Sequence, residues 1–454
     1  MAELVAVILA AGKGTRMKSA LPKVLHRVGG KPMLEHVLAA AKQAGSKRDI
    51  VVVGFGGDVV QTTIGEKAEC VVQAEQLGTG HAVMQAVPLI QDFSGTVMVL
   101  YGDTPLLTGD LLTKLYNEHK QSGAIATVLT AIMQDPTGYG RLIRAADGSV
   151  EKIVEQKDGT PEELQVKEIN SGIYCFENSA LLEALKKLTC DNAQGEYYLT
   201  DVLGILQQSQ QKVGAMVADD YEQTLGINSR VQLAEAERIL RLRKARELMD
   251  AGVTIMDPAS TFIDESVQIG KDTVIYPFTW LEGNTVIGEN CEIGPNTRFQ
   301  NTMIGNKVTA HFAYGHDCEI EDGVVVGPYV HLRPQTKLQR NVKIGNFVEV
   351  KNSVVGEGSK LPHLSYIGDS DIGSGVNMGC GTITVNYDGK KKHRTTVADN
   401  AFVGCNSNLV APVTVGENAY IGAGSTITKD VPAAALGIAR GRQTNIEKWH
   451  DKRK

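Results

Sequence analysis

A glycine-containing stretch near the start of the chain, LAAGKGTRMKSALPK, has the residue types that would bind a polyphosphate. Gly12 and Gly14 allow the backbone to approach a ligand closely with its N–H groups exposed. Arg16 and Lys23 add cations for negatively charged oxygens. The stretch matches neither the P-loop nor the dinucleotide loop, because Met17 stands where the third glycine of G-x-G-x-x-G should be. The alternative is an ordinary tight turn after a strand.

A second candidate is Asp103, which follows the apolar run TVMVLYG. Ligands of open α/β sheets bind at the carboxyl ends of the strands, where this carboxylate would lie. A carboxylate together with water suits Mg²⁺, a hard cation that keeps part of its hydration shell. From the residue types alone, a turn or capping role before Pro105 is an equal alternative.

The elements around these residues alternate between strand-like and helix-like segments. LVAVILA is followed by MLEHVLAAAKQAG, then by IVVVG and later by TVMVLYGD. Such alternation predicts an α/β domain with a mostly parallel sheet and helices on both faces. We place this domain at residues 1–229 and a charged linker helix at residues 230–250.

The rhythm changes in residues 251–454, where aliphatic residues recur every six positions. The clearest run consists of Val397, Val403, Leu409, Val415, Ile421 and Ile427. A hexapeptide period predicts a parallel β-helix, in which stacked coils bury one continuous aliphatic column. The alternative is a β-sandwich with chance spacing. The segment Thr382–Thr396 interrupts the period and predicts a loop on the binding face.

The composition limits the classes of function that the chain could have. A length of 454 residues favours two or three domains, and a net charge of -6 argues against nucleic acid as the main partner. The seven cysteines are widely spaced without a C-x-x-C pair, which favours a reducing compartment. No apolar run reaches the roughly 18 residues of a membrane span, and no signal peptide is recognisable. We therefore expect a cytoplasmic protein without a membrane partner.

Motifs spread along the chain resemble those of the sugar-phosphate nucleotidyltransferases. After LAAGKGTRM and LPK come QAEQLGTGHA, YGDTPLL, GYGR, IVEQKD, INSG and NAQGEYYLTD, in that order. Together with the hexapeptide half, nearly the whole chain is similar to bifunctional bacterial enzymes that join an N-acetylglucosamine-1-phosphate uridyltransferase to a glucosamine-1-phosphate N-acetyltransferase. The resemblance implies that the β-helix is left-handed. It also implies a homotrimer whose acetyl sites draw on more than one chain.

For the N-terminal half, the resemblance implies transfer of UMP from UTP to N-acetylglucosamine-1-phosphate, with release of pyrophosphate. Mg²⁺ would be held by Asp103 and by Asn228 in LGINSR. The remaining matched positions would hold the phosphates (Leu9, Ala10, Ala11, Gly12, Arg16, Lys23), the uridine (Gln73, Gly78, Thr79) and the sugar (Tyr101, Gly102, Gly140, Glu155, Asn170).

For the C-terminal half, the resemblance implies acetyl transfer from acetyl-CoA to the amine of glucosamine-1-phosphate. The amine must lose a proton before it attacks a thioester, and His363, among ten histidines, matches the position of the base. The other matched positions would bind the sugar phosphate (Arg333, Lys351, Tyr366, Asn377, Asn386, Tyr387, Lys392) and acetyl-CoA (Cys380, Cys405, Ala423, Arg440). Cys380 and Cys405 replace the Ala and Ser of some relatives, and Leu361-Pro362 precedes the base where small residues are common.

Two other classes of protein are compatible with the same halves. One is a nucleotidyltransferase of single activity whose β-helix is structural or allosteric, and His363 with its neighbouring cations argues against it. The other is a regulatory assembly subunit that has lost its catalytic residues. The intact glycine loop with Lys23 and Asp103 argues against that reading.

Overall fold

The computed structural model describes residues 3–192 and 194–450, so the outermost ends of the predicted domains lie outside the described residues. The chain divides into two compact units, Met1–Leu240 and Arg241–Lys454. The division falls inside the helix Arg230–Asp250, the segment that the sequence analysis assigns to a linker. None of the helices in the described ranges combines the length and the apolar character needed to cross a membrane.

The first unit is an α/β structure whose elements follow the predicted alternation. Its strands are β1 (Glu3–Ala10), β2 (Arg27–Val28), β3 (Lys31–Pro32), β4 (Arg48–Val53), β5 (Glu69–Val72), β6 (Gly95–Tyr101), β7 (Ala126–Ile132), β8 (Arg141–Arg144), β9 (Val150–Val154), β10 (Glu168–Glu177) and β11 (Val213–Val217). Its α-helices are α1 (Met33–Gln43), α2 (Gly57–Ile64), α3 (Thr79–Ile90), α4 (Gly109–Ser122), α5 (Asn178–Leu185), α6 (Asp201–Gln208) and the start of α7 (Arg230–Asp250). Short 3₁₀ turns cover Thr15–Met17, Lys23–Leu25, Gly65–Lys67, Glu163–Gln165 and Tyr221–Thr224.

The main sheet of this unit is mixed. Its strand order is β11-β7-β10-β6-β1-β4-β5, and β8 extends it from β10 and pairs with β9. The pairs β1–β4, β1–β6, β4–β5 and β7–β11 are parallel, whereas β10 runs antiparallel to both β6 and β7. Strands β8 and β9 are antiparallel to each other, and β8 is antiparallel to β10. Seven of the nine strands thus run in one direction, which confirms the mostly parallel α/β sheet, whereas β9 and β10 run in the other and are not revealed by the alternation of elements.

Strand β1 shows why these segments are strands buried on both faces. Leu4, Ala6 and Ile8 belong to the core on one face of the sheet, whereas Val5 and Val7 belong to the core on the other. A strand covered on both sides needs a continuous apolar run instead of alternation. Because β1 pairs with β6, the glycine loop after β1 and Asp103 after β6 emerge at the same carboxyl edge of the sheet.

The second unit is a parallel β-helix with three sheets, and we call these sheets I, II and III. Within the described residues, they contain 11, 10 and 9 strands. Sheet I consists of Thr254–Ile255, Val274–Ile275, Glu292–Ile293, Thr309–Ala310, Val325–Val326, Lys343–Asn346, Lys360–His363, Asn377–Met378, Phe402–Val403, Tyr420–Ile421 and Leu436–Gly437. Sheet II consists of Phe262–Ile263, Thr279–Glu282, Thr297–Gln300, Ala313–His316, Val330–Leu332, Glu349–Lys351, Tyr366–Gly368, Ile383–Val385, Asn408–Val410 and Thr426–Ile427. Sheet III consists of Gln268–Ile269, Val286–Ile287, Met303–Ile304, Glu319–Ile320, Lys337–Leu338, Val354–Val355, Ser370–Ile372, Thr395–Val397 and Val413–Val415.

The hexapeptide period determines which side chains lie in the interior of this unit. The aliphatic residue of each repeat is buried, as Val326, Ile344 and Leu361 show on three successive coils of sheet I. Small hydroxyl residues also lie inside and bond to backbone carbonyls, as when Ser359 Oγ donates to Gly373 O over 2.6 Å. The buried Ser359 hydroxyl therefore keeps a hydrogen-bond partner. The predicted interruption contains an irregular loop, residues 386–394, between a strand of sheet II and one of sheet III.

Candidate active sites

The first candidate site is a cavity of about 440 Å³ in the α/β unit, at the carboxyl edge of β1 and β6. Two of the predicted ligand-binding residues do not line it. Arg16 is exposed on the 3₁₀ turn Thr15–Met17, and Gly102 is buried against Val24, Leu34 and Ala10. The other predicted positions all contribute to the lining: Leu9, Ala10, Ala11, Gly12, Lys23, Gln73, Gly78, Thr79, Tyr101, Asp103, Gly140, Glu155, Asn170 and Asn228.

The glycine loop brings Lys23 to the cavity because Gly14 has no side chain. Gly14 has a φ of +58°, and a Cβ on it would lie 2.7 Å from the Cβ of Lys23. By contrast, a Cβ on Gly12 would have no heavy atom within 4 Å, so the space next to its backbone is open. The loop thus packs against the start of the Lys23 side chain and leaves the Gly12 backbone accessible to a ligand.

The side chain of Lys23 connects the two residues predicted to bind a metal ion. Its ammonium pairs with Asp103 Oδ2 and donates a hydrogen bond of 2.9 Å to Asn228 Oδ1. The backbone supports this arrangement, since Ile227 N donates to Asp103 O over 2.9 Å. The carboxylate and amide oxygens are of the kind that bind Mg²⁺, and in this structure both face the Lys23 ammonium.

A metal ion held here would have few protein ligands. Within residues 3–192 and 194–450, no group of three or more His, Cys, Asp or Glu side chains could hold a metal ion. Asp103 and Asn228 would supply two oxygens, and water and phosphate oxygens would supply the others. Mg²⁺ is commonly bound in this way, with one or two protein oxygens and several waters.

The loop before α3 has a shape that only glycine allows. Gly78 has a φ of +109°, and a Cβ on it would lie 2.6 Å from Tyr197 O. Tyr197 holds the loop from both sides, because its N–H donates to Leu77 O and its carbonyl accepts from Gly80 N, each over 2.8 Å. The loop in QAEQLGTGHA is therefore positioned by the backbone of the later motif that ends in EYYLTD.

The far end of the cavity has polar groups that suit a sugar. Asn170 Oδ1 accepts from Gly172 N over 2.9 Å and from the Tyr174 hydroxyl over 3.1 Å, so the Asn170 amide is held in place. Burial raises the pKa of Glu155, and the nearby carboxylates of Asp158 and Asp201 raise it further. A hydrogen bond from a sugar hydroxyl to this carboxylate would replace the lost solvation of its charged form.

The second candidate site follows one corner of the β-helix. His363 pairs in register with Asn346 on the preceding coil, and the imidazole Nδ1 lies 2.5 Å from Asn346 Oδ1. Because Asn346 Oδ1 is an acceptor, His363 Nδ1 carries the hydrogen and Nε2 keeps its lone pair. The exposed imidazole is thus oriented as a base whose accepting nitrogen is Nε2.

The same corner carries the residues predicted to bind acetyl-CoA, and we call this row of residues the corner column. On sheet I, Met378, Val403 and Ile421 pair in register, so the residues two positions later, Cys380, Cys405 and Ala423, occupy equivalent places on successive coils. Neighbouring strands are about 4.8 Å apart, so the column continues from His363 in steps of that size. Arg440 joins it, since its Nη1 donates to Ala423 O over 2.7 Å. Cys380 is half-buried and Cys405 is exposed, and both are free thiols.

A cluster of cations lies on the neighbouring sheet II and the inserted loop. Lys351 Nζ lies 3.9 Å from Asp369 Oδ2, and Asp369 also accepts hydrogen bonds from Asn352 and Asn386. Lys351 lowers the pKa of Lys392 through a hydrogen bond and charge repulsion. Two neighbouring ammonium groups favour an anion between them, such as a phosphate.

The other residues predicted for the sugar phosphate are less closely grouped. Arg333 Nη1 donates to Glu349 Oε1 over 2.9 Å, and Asn386 Nδ2 lies 3.5 Å from the Tyr366 hydroxyl. Tyr387 is exposed, and its hydroxyl donates to Gly389 O. Asn377 lies on sheet I, between Lys360 and Phe402 in the register.

Sequence reasoning missed several residues that the structure places at these sites. Asn346 is 17 positions before His363 and pairs with it in register on the preceding coil, one position short of three hexapeptides, so the strict period does not identify it. Asp369 follows Gly368, the residue that pairs in register with Lys351 on the next coil. His81 contacts Gln73 and was not singled out, although it lies in a quoted motif.

The chain matches two protein families in sequence comparisons. Residues 5–252 match the nucleotidyl transferase family, and residues 266–301, 317–352 and 394–429 match the bacterial transferase hexapeptide family. Curated relatives named "Bifunctional protein GlmU" match nearly end to end. The protein of Geobacillus sp. (strain WCH70) is 54% identical over 100% of this chain and 98% of its own length. Those of Heliobacterium modesticaldum and Clostridium beijerinckii are 56% and 51% identical, over 96% and 99% of this chain and 95% and 98% of their own lengths.

The fold and the two sites define a transferase in which a nucleotidyltransferase unit precedes an acyltransferase unit built as a left-handed β-helix. With relatives this similar over its whole length, the chain belongs to the GlmU family of bifunctional proteins. It is an enzyme with uridyltransferase activity in its N-terminal half and acetyltransferase activity in its C-terminal half.

Proposed function

We propose that the enzyme makes UDP-N-acetylglucosamine in two steps, one in each unit. The β-helix would acetylate glucosamine-1-phosphate, and the α/β unit would transfer UMP from UTP to the product. One observation carries the assignment of two separate chemistries: Lys23, Asp103 and Asn228 meet in a cavity of one unit, whereas His363 and Asn346 lie on the other. The first group suits phosphates and a metal ion, and the second suits proton transfer.

In uridylyl transfer, the sugar phosphate attacks the α-phosphate of UTP and pyrophosphate leaves. The open backbone at Gly12 and the ammonium of Lys23 would hold the phosphates of UTP, while Glu155 and Asn170 orient the sugar. Asp103 and Asn228 would hold a Mg²⁺, which supplies charge neutralisation on the phosphate oxygens. Positioning of two anions and stabilisation of the developing charge account for most of the catalysis in reactions of this kind.

In acetyl transfer, the neutral amine nitrogen of glucosamine-1-phosphate would bond to the thioester carbon of acetyl-CoA while His363 Nε2 takes one of the two protons on that nitrogen. The carbon–sulfur bond then breaks, and the imidazolium gives this proton to the departing thiolate, which leaves an amide and a free thiol. Asn346 keeps His363 in the required tautomer. Lys351 and Lys392 would bind the phosphate of the sugar, and Cys380, Cys405 and Ala423 would line the path of coenzyme A.

We also propose a homotrimer whose acetyl sites draw on more than one chain, in the cytoplasm. Hexapeptide repeats over much of the second unit support the trimer. Five of the proposed substrate and coenzyme residues are exposed in the single chain, where a neighbouring chain could complete the site: Tyr387, Lys392, Cys405, Ala423 and Arg440. The seven free cysteines support a reducing compartment.

Separate assays of the two half-reactions, with and without EDTA, test the proposed chemistry. We expect the purified chain to release pyrophosphate from UTP and N-acetylglucosamine-1-phosphate, and EDTA to stop this reaction until Mg²⁺ is restored. Acetyl transfer to glucosamine-1-phosphate, followed by release of the coenzyme A thiol, should continue in EDTA. Uridylyl transfer that persists in EDTA would contradict the Asp103–Asn228 metal site.

The position of the domain boundary can be tested with fragments of different length. Ala236 and Ile239 of α7 are buried in a cluster with Val28, Met33 and Ile227. We therefore expect fragment 1–250 to retain uridylyl transfer, and fragment 1–229 to unfold at a lower temperature because it exposes that cluster. Thermal unfolding and pyrophosphate release measure the two effects. Equal melting temperatures would show that the boundary at residue 229 is adequate.

A further inference from the structure

We propose that His81 is a positioning residue that sets which nucleobase the uridyltransferase cavity accepts. It does so by holding the side-chain amide of Gln73 in one orientation, with the amide oxygen left for the base. This inference rests on the proposed function, in which Gln73 contacts the edge of uracil.

The Gln73 side chain has both amide hydrogens engaged by the protein. It is only 3% exposed and lines the cavity. Its Nε2 lies 3.1 Å from Gly78 O and 3.1 Å from His81 Nδ1. An amide nitrogen has two hydrogens, and these two acceptors use both of them. In the described ranges 3–192 and 194–450, no donor is bonded to Gln73 Oε1, so this oxygen is the atom available to a ligand.

The free oxygen discriminates between pyrimidines. Uracil has an N–H donor at N3, whereas cytosine has an acceptor at the same position. An amide oxygen therefore binds uracil and repels cytosine, and an amide turned by 180° would do the opposite. Sites that pair with a polar edge reject an analogue strongly, because a mismatch leaves buried groups unpaired. The orientation of one amide thus decides the choice of nucleotide.

His81 accepts the second hydrogen bond from the Gln73 amide. Gly78 O is always an acceptor, but it engages one hydrogen only, and His81 Nδ1 engages the other. A neutral imidazole accepts at one nitrogen, so its Nε2 must then carry the hydrogen. Gln85, one turn later on α3, approaches that Nε2 to 3.1 Å with its own amide. Turning Gln85 to present its oxygen gives up the hydrogen bond that its Nε2 donates to His81 O over 3.1 Å. Because Gln85 is half-exposed, water can replace that bond, whereas the buried Gln73 would leave its groups unpaired if it turned.

The experiment compares UTP with CTP in the full-length enzyme, using kcat/KM for pyrophosphate release with N-acetylglucosamine-1-phosphate. We expect His81→Leu to lower the UTP-to-CTP ratio of kcat/KM about tenfold, the scale of one ordinary hydrogen bond, mainly through the KM for UTP. His81→Asn should restore the ratio to within about threefold, because its amide oxygen lies close to where Nδ1 was. Gln91→Leu is the control and should leave the ratio unchanged, since this exposed side chain lies at the C-terminal end of α3 and does not line the cavity.

The outcomes separate the role of His81 from the proposed function. An unchanged ratio in His81→Leu, or a ratio in His81→Asn as low as in His81→Leu, overturns the role of His81. If His81→Leu does not fold, His81→Asn is compared with His81→Gln. The side-chain oxygen of Gln lies nearer the place of Nε2 than that of Nδ1, so the two variants should differ in their UTP-to-CTP ratio of kcat/KM. Equal ratios overturn the role of His81. A wild-type enzyme that makes no UDP-sugar from UTP overturns the proposed function and this inference together.

Discussion

Replacing His363 by Ala is expected to lower the rate of acetyl transfer about 10³-fold, which is the middle of the range for the loss of a general base. Uridylyl transfer should keep its wild-type rate. Without the imidazole, the corner column keeps Cys380, Cys405, Ala423 and Arg440, and none of these side chains offers a neutral nitrogen that could accept the proton from the amine. The effect should appear in kcat more than in KM for glucosamine-1-phosphate, because the cations that would bind its phosphate remain in place. Release of the coenzyme A thiol measures the acetyl reaction.

Two further variants make this test specific. Asn346→Ala should lower acetyl transfer by about tenfold, because His363 loses the hydrogen bond that selects its tautomer. His316→Ala is the matched control, since this histidine of the same unit is bonded to Asp317 and lies outside the corner column. If His363→Ala retained more than a tenth of the acetyl activity, the base would have to be another residue.

Replacing Asp103 by Ala is expected to lower uridylyl transfer by about 10²- to 10³-fold, the usual scale for losing one group that stabilises transition-state charge. The change removes the carboxylate that pairs with Lys23 and one of the two oxygens proposed to hold Mg²⁺. It should also raise the Mg²⁺ concentration needed for half-maximal activity. Pyrophosphate release, measured over a range of Mg²⁺ concentrations, checks both expectations.

The control for this variant is Asp92→Ala, which removes an exposed carboxylate of the same unit. Acetyl transfer by Asp103→Ala should equal that of the wild type, because His363 and Asn346 belong to the second unit. An Asp103→Ala enzyme with an unaltered Mg²⁺ dependence would show that the metal ion is bound elsewhere. Loss of both activities would indicate misfolding instead of a local defect.

Local patterns in the sequence were sufficient wherever one short stretch carries its own physical reason. The hexapeptide period predicts the β-helix, because each coil must bury an aliphatic side chain at the same phase, as Val326, Ile344 and Leu361 do. The apolar run in β1 likewise predicts a strand covered on both faces. A glycine loop after that strand follows from the chain itself, since Gly14 can adopt a φ of +58° without strain.

Only the tertiary structure decided which distant groups meet. Lys23 lies 80 residues from Asp103 and 205 from Asn228, and no local pattern predicts that its ammonium joins their oxygens. The same holds for the antiparallel strand β10, which looks like any other buried strand in sequence. Arg16 has the right charge and the right motif, yet its side chain is exposed on a short turn outside the cavity. Residue type and spacing determine what a side chain can do, whereas the packing of separate elements determines what it touches.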